Sequence, residues 1–323
     1  ALVVAALGRG LPDGPALVLE DPRADVADAL ENAGVEVHDW SRRRADPTWP
    51  ACDGSFTWVG VRLPRARAEF DMLLHMAAGA LAEGGELWVY GANDEGIRSV
   101  RRRLEPFFGP VQTLATGGHA RLVAARRVSR GIAARCGLDA WAEAHRLDLP
   151  WGTVDWRSFP GTFAHGRLDE GTALLLDHLP PVRPGARVVD YGTGTGFLAA
   201  GVRAVCPEAA IVGLEPDGLA ALAARTNVPG LEVVVGGGWG PLEGRGAWDV
   251  VVSNPPYHRG KVETLQEVDH FLAGLTTQLA PKGVARFVVQ RRFPLEERAR
   301  AAGLPAPERI ADAGPYRVWE VRR

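Results

Sequence analysis

Trp248-Asp249-Val250-Val251-Val252-Ser253-Asn254-Pro255-Pro256-Tyr257 is a β-branched apolar run that ends in Asn-Pro-Pro-Tyr. Such a run reads as a buried strand of a parallel sheet, opening at its carboxyl end into a rigid loop. Two consecutive prolines fix φ and remove two backbone donors, so the loop cannot continue the sheet. It presents the Asn254 amide oxygen, the Pro255 carbonyl and the flat face of Tyr257. Those groups suit a planar amino group, which has two N–H donors to satisfy and a π-face to stack on. From four residues alone, a plain turn at a strand end reads the same way, so the flanking sequence has to decide.

Upstream, Val188-Val189-Asp190-Tyr191-Gly192-Thr193-Gly194-Thr195-Gly196 is a strand, a glycine-rich turn and a helix start. Glycines there let the backbone approach a ligand, and the helix supplies free N–H donors. Dinucleotide enzymes use a similar loop, but here Asp190 precedes the glycines, where a carboxylate can pair with an ammonium group. Glu215 follows a further strand, Ile211 to Leu214, 25 residues after Asp190. An acid at that strand end can grip two ribose hydroxyls.

Outward from this centre the chain alternates strand and helix. Strands are predicted at Ala16 to Leu19, Val35 to Val37, Phe56 to Val61 and Leu87 to Tyr90, and helices at Arg23 to Ala33, Arg65 to Ala82 and Arg98 to Leu104. Beyond residue 158 the series repeats and ends in an antiparallel pair, Glu308 to Ala311 and Arg317 to Val321. This pattern predicts two doubly wound α/β domains. The halves look like copies: Ala80 to Val89 parallels Gln278 to Phe287, and His119 to Arg127 parallels Tyr316 to Arg323. Where the second half has Asn-Pro-Pro-Tyr, the first has Gly60-Val61-Arg62-Leu63, and it lacks the glycine-rich turn. The expected division is 1–130, a degenerate domain; 131–158, a connection holding a short amphipathic piece from Leu138 to Leu147; and 159–323, the site-bearing domain.

The chain has 46% hydrophobic and 24% charged residues with a net charge of −2, which argues against coating nucleic acid by bulk electrostatics. Only Lys261 and Lys282 are lysines, and arginine is the better residue for forked phosphate contacts. No apolar run approaches the length of a membrane span, and no secretory signal is read. Cys52, Cys136 and Cys206 show no metal-ligand spacing and are expected to be reduced, cytoplasmic thiols. No metal is expected.

The second half resembles class I S-adenosylmethionine-dependent methyltransferases of the Asn-Pro-Pro-Tyr/Phe type. More narrowly, it resembles the ribosomal small-subunit methyltransferase C family, which methylates the exocyclic N2 of a guanine in 16S rRNA. Phe159-Pro160-Gly161-Thr162-Phe163 and Leu168-Asp169-Glu170-Gly171-Thr172-Ala173-Leu174-Leu175-Leu176 carry the resemblance with the Asp190 and Asn254 loops, and Gly91 to Ile97 carries it in the first half. It implies two tandem Rossmann-like methyltransferase domains, the first degenerate, with mostly parallel sheets and an antiparallel edge. It implies S-adenosylmethionine held by Asp169, Asp190, Gly192, Thr193, Gly194, Gly196, Glu215 and Gly238, and a guanine met by Asn254, Pro255, Pro256 and Tyr257. The implied partner is 16S rRNA or the small ribosomal subunit, and the implied state a cytoplasmic monomer. Arg98, Arg101, Arg102, Arg103, Arg126, Arg127 and Arg130 offer a phosphate-contacting face in the first half, or a solvated arginine-rich helix. His258 is read as a loop residue rather than a base.

The chain departs from that family at two places. Gly236-Gly237-Gly238-Trp239 replaces an Asp or Asn after the third strand, so backbone N–H groups or Trp239 must serve adenine. Gln290-Arg291-Arg292-Phe293 replaces an Asn-rich turn. The same loop chemistry also serves adenine N6 and protein glutamine methylation. A noncatalytic RNA-binding assembly factor with a vestigial pocket, and a nicotinamide oxidoreductase, are the readings from other classes.

Overall fold

The computed structural model describes residues 1–8, 10–128, 132–255 and 262–323, with side chains of the last segment from 266 onward. The chain divides into two compact units, Ala1–Ala142 and Glu143–Arg323.

In the first unit, α1 (Leu2–Leu7) leads into β1 (Ala16–Leu19), α2 (Asp25–Glu31), β2 (Val37–Trp40), β3 (Phe56–Arg62), α3 (Arg67–Ala80), β4 (Leu81–Ala92), α4 (Arg101–Phe108), β5 (Gln112–Gly117) and β6 (Ala120–Arg126). Its sheet runs β2-β1-β3-β4-β6-β5. β1 to β4 pair in parallel, while β6 pairs antiparallel with both β4 and β5.

The second unit begins with a hairpin, β7 (Glu143–Leu149) and β8 (Gly152–Ser158). It continues as α5 (Glu170–Leu176), β9 (Arg187–Tyr191), α6 (Phe197–Val205), β10 (Ala210–Glu215), α7 (Gly218–Asn227), β11 (Glu232–Val235), β12 (Trp248–Ser253), α8 (Val262–Gln278), β13 (Leu279–Gln290), α9 (Leu295–Ala301), β14 (Glu308–Ala313) and β15 (Tyr316–Arg322). Its sheet runs β11-β10-β9-β12-β13-β15-β14, with β15 antiparallel to both neighbours. Valines fill the central strands because both faces are covered. Val188, Val250 and Val252 pack with Phe197 and Leu198 on one face. Val189, Tyr191 and Val251 pack with Trp248 and Phe271 on the other.

The predicted duplication is visible in the strand order. Removing β11 from the second sheet leaves the order of the first, and in each unit the register shifts one step into the equivalent strand, between Phe56 and Trp58 and between Trp248 and Val250. Pairing then aligns the two units residue by residue. Val18 lies opposite Gly60 as Asp190 lies opposite Val252, so Val18 replaces the acid and Arg62 stands where Asn254 stands. Arg62 is closed by an ion pair to Glu95 at 2.7 Å. Glu20 takes the place of Gly192, and the two share a left-handed backbone, φ 58° against 74°.

Three expectations need correction. The stretch 131–158 is not a plain connection: 143–158 form the β7–β8 hairpin, which belongs to the second unit. Leu138 to Leu147 is not one amphipathic piece, since a short 3-10 turn at Leu138–Trp141 gives way to β7. Only Leu147 and Leu149, at the end of β7, are large apolar side chains, so the alternation that marks a strand is weak there. Cys52 and Cys136 are not free thiols but form a disulfide across 84 residues, with Cα atoms 6.2 Å apart; Cys206 is free and buried. Gly79 leaves room for both sulfurs, as a Cβ there would lie 3.1 Å from the Cys136 sulfur and closer still to that of Cys52.

Candidate functional site

The order of the second sheet places β9 and β12 side by side while their helical connections leave in opposite directions. Ligands of open α/β sheets bind at such a reversal, outside the carboxyl ends of the strands. The register sets Ser253 against Tyr191, and the Ser253 hydroxyl donates to the Tyr191 carbonyl at 2.7 Å. The Asn254 loop and the glycine turn are thereby fixed as neighbours.

Asn254 is oriented by α5. Its side-chain amide donates to Asp169 Oδ2 at 3.1 Å and to Thr172 Oγ1 at 2.9 Å. Asp169 is the N-cap of α5, and the same oxygen accepts from the Gly171 and Thr172 backbone at 2.9 and 3.2 Å. Both N–H donors of Asn254 are thus spent on the protein, leaving its oxygen as an acceptor. Pro255 is buried beside it. Pro256, Tyr257 and His258 lie outside the described residues.

Asp169, Thr172, Gly192, Thr193, Gly194 and Asn254 line one cleft with Phe163, Ala164, Thr195, Phe197 and Leu198. Larger hollows occur in the first unit, one of about 680 Å³ with Trp58 and Trp88 in its lining, but their linings contain none of these groups. Asp190, Gly196, Glu215 and Gly238 are not among the residues that line this cleft. Asp190 is fully buried. Its Oδ2 accepts from Thr193 Oγ1 at 2.6 Å and from the Ala199 amide at 3.0 Å, near the start of α6, whereas Oδ1 has no partner. Burial pushes its carboxyl up to about 7. Glu215 is also buried; it accepts from Gly194 N at 2.7 Å and Asp217 N at 3.0 Å. Burial, with Asp217 adding to it, pushes Glu215 up to about 7.

An unpartnered buried carboxylate oxygen next to a glycine turn costs free energy unless a donor or cation reaches it. The observed groups therefore fit a ligand that brings positive charge to Asp190. Gly196 caps α6 at φ 102°, and a Cβ there would meet Val228 at 3.0 Å, so the turn has no room for a side chain. Gly238 sits at φ 67° in the turn after β11. Trp239 does not offer its indole N–H to a ligand, because that group donates to the Phe271 carbonyl at 3.1 Å. Its ring packs on Tyr191 and Phe271.

Sequence reasoning missed two supports. Thr172 shares the Asn254 amide, and the Asp-x-x-Thr spacing of a capped helix start is the signal that finds it. The hairpin props the glycine turn: Trp156 donates to Thr195 Oγ1 at 2.9 Å and stacks on Phe197 at 4.2 Å. Asn227 donates to the Arg157 and Thr195 carbonyls, both at 2.9 Å. In the first unit the arginines are largely engaged with their own neighbours. Arg103 pairs with Asp71, Arg101 with Glu105 at 3.7 Å and Arg126 with Glu86 at 3.7 Å; Arg127 donates to the Phe107 carbonyl at 3.1 Å and Arg98 to Asn93 at 3.3 Å. Arg130 lies outside the described residues.

Comparison with known proteins adds to this geometry. The methyltransferase small domain model matches residues 153–319, and the methyltransferase small domain N-terminal model matches residues 36–144. The chain is 30% identical over 285 residues to the ribosomal RNA small subunit methyltransferase C of Shewanella amazonensis, spanning 87% of this chain and 79% of that one. It is 31% identical over 317 residues to the protein of the same name from Ectopseudomonas mendocina, spanning 92% of each. Among solved structures, a T. thermophilus 16S rRNA N2 G1207 methyltransferase in complex with AdoMet and guanosine superimposes with a TM-score of 0.79 at 20% identity, over 99% of this chain and 91% of that one. That likeness is one of fold. With both halves matched and most of each relative covered, the chain belongs to the ribosomal RNA small subunit methyltransferase C family.

Proposed function

We propose that this protein transfers a methyl group from S-adenosylmethionine to the exocyclic N2 of a guanine in 16S rRNA. The observation that carries the reading is the Asn254 amide, clamped by Asp169 and Thr172 beside the glycine turn. The cofactor, when bound, supplies a methyl carbon on a sulfonium with a neutral thioether as leaving group. Asp190 and the turn Gly192, Thr193, Gly194 and Gly196 hold it through charge and backbone N–H donors, with Glu215 and Gly238 supporting its ribose and adenine ends. Asn254 Oδ1 and the Pro255 carbonyl accept from the amino group of the base and orient its nitrogen, with Pro256 holding the loop and Tyr257 stacking on the ring. The amine sheds a proton to water after transfer, so no side-chain base is required. In the first unit, Arg101 and Arg126 keep exposed side chains and assist in holding RNA phosphates. A ribosomal substrate places the protein in the cytoplasm, and we propose that it acts as a monomer.

The test is transfer from labelled S-adenosylmethionine to deproteinised 16S rRNA and to small subunits from a methylation-deficient strain, with nucleoside analysis. Label in N2-methylguanosine that disappears in Asn254→Ala supports the reading. Label in adenine or protein overturns the substrate, and firm cofactor binding with no transfer overturns the activity.

A further inference from the structure

A second cluster of ligating side chains lies on the hairpin side of the cleft. Glu143 and His145 stand on β7, two residues apart and so on one face of the strand. His165 comes from the segment between β8 and α5. The ligand atoms of the three all lie within 4.8 Å of one another. Glu143 Oε2 faces both rings, 3.1 Å from His165 Nε2 and 3.7 Å from His145 Nε2. On the far side of the His165 ring, Nδ1 meets the hydroxyl of Ser158 at 2.8 Å, and Ser158 is 1% exposed. The same hydroxyl lies 3.0 Å from His145 Nε2. Gly166 brings the segment hard against His145, since a Cβ at that residue would be 2.6 Å from the ring.

We propose that Glu143, His145 and His165 form a divalent transition-metal site, with zinc the best-matched ion. Two imidazoles and one carboxylate are a donor set zinc uses, at about 2.0–2.1 Å per ligand, with water completing the tetrahedron. Ligand atoms at those distances lie about 3.4 Å apart around the ion. Even a separation at the 4.8 Å bound closes by about 1.4 Å, a change that side-chain torsions supply. His145 exchanges its contact with Ser158 for the metal. Ser158 then accepts from His165 Nδ1–H alone and fixes that ring, as outer partners of ligating histidines do.

The location gives the ion a consequence. His165 directly follows Phe163 and Ala164, which line the cleft, and the same segment runs on to Asp169, which clamps Asn254. A metal bridging β7 to His165 pins this wall of the cleft to the hairpin. The proposal stands without the methyl-transfer reading, because the site and its effect on the segment are measurable in the absence of RNA.

The experiment is calorimetric titration of the chelator-treated full chain with Zn²⁺, together with Co²⁺ absorption as a report of coordination. One site per chain with tetrahedral Co²⁺ bands is expected. His145→Gln and His165→Gln should each weaken binding at least tenfold and abolish the bands, with unchanged melting of the metal-free protein showing that the variants fold. Affinity and bands unaltered in both variants overturn the site. Amide exchange across 159–169 should slow with Zn²⁺ in the wild type and not in His165→Gln; no slowing in the wild type overturns the pinning.

Discussion

Asn254 and Asp169, 85 residues apart in sequence, meet through a hydrogen bond of 3.1 Å that spends an amide donor and aims the amide oxygen away from α5. An Asn side chain free to flip would present its N–H groups to the substrate amine half of the time and repel it. On the proposed reading, Asp169 acts on substrate through Asn254. Asn254→Ala should cost about 10²–10³ in kcat, and Asp169→Ala should follow in the same direction by at least about tenfold. Thr172→Val, which leaves Asp169 in place, should cost less. Steady-state methyl transfer with the cofactor and RNA varied separately checks the order.

The buried acids set a pH dependence. Asp190 and Glu215 titrate near 7 in the folded protein against ordinary values of 3.8 and 4.5. The folded state therefore keeps those protons to higher pH than the unfolded chain does. The associated stability is full below about pH 4 and is lost as pH rises through about 7, at roughly 1 kcal/mol per group per pH unit between those limits. Cofactor-free protein should melt at higher temperature at about pH 5 than at about pH 7.5 from this source. Asp190→Asn should flatten the dependence, as scanning calorimetry at several pH values will read.

Arg286 and Glu320 form a buried ion pair across β13 and β15, with Arg286 Nε donating to Glu320 at 2.8 Å and Nη1 to the His178 carbonyl at 2.8 Å. In the first unit the paired residues at the equivalent register are Trp88 and Ala124. Removing one partner strands a buried charge, so Glu320→Ala should destabilise by about 3–5 kcal/mol. The double replacement Arg286→Trp with Glu320→Ala should recover most of that loss. Denaturant unfolding of the three proteins decides it.

The hairpin should behave as part of the second unit. Asn227→Ala removes the donor to two carbonyls and the acceptor of Arg157 N, with an expected loss of about 2–3 kcal/mol. Trp156→Phe keeps the stack on Phe197 and loses the bond to Thr195, for about 1 kcal/mol. Both should weaken cofactor binding through the glycine turn, which fluorescence or calorimetric titration measures.

For the Cys52–Cys136 disulfide, cross-linking 84 residues should stabilise the first unit by about 2–4 kcal/mol. Cys52→Ser should lower the melting temperature under oxidising conditions and match the wild type in excess reductant. Intact mass after alkylation in the cell extract reports which form the cell holds.

Much of the fold was legible because its signals are local. Val188 to Gly196 announces a strand, a turn and a helix within nine residues, and valines on the central strands mark a sheet covered on both faces. The two halves could be aligned because the sequence around Gly84-Gly85 and Lys282-Gly283 repeats. The hairpin was hidden because its stability comes from Trp156 and Asn227 reaching elements that follow it, while its own residues alternate weakly. The cysteine pairing was hidden because 84 residues separate partners that only the fold brings together. Within the site, residue types were readable and directions were not. Nothing in the sequence says that Asp190 and Glu215 spend oxygens on backbone amides, that Trp239 faces the core, or which end of the Asn254 amide points outward.

Glu20 shows what the first half's history left in its backbone. It keeps the left-handed geometry of the turn that follows β9, although it is not glycine and its unit has neither the acid nor the Asn loop. Such a conformation costs a residue with a side chain about 1 kcal/mol, and neighbours repay it: the Glu20 carboxylate accepts from the Arg42 backbone at 2.8 Å. The curl of the chain at this corner is thus imposed by the sheet and survives without glycine. Glycine at 192 then answers a different demand, for empty volume above the peptide, where no neighbouring atom comes within 4 Å of a hypothetical Cβ. The corner is scaffold in both units, and what sets the second apart is the open space left over it.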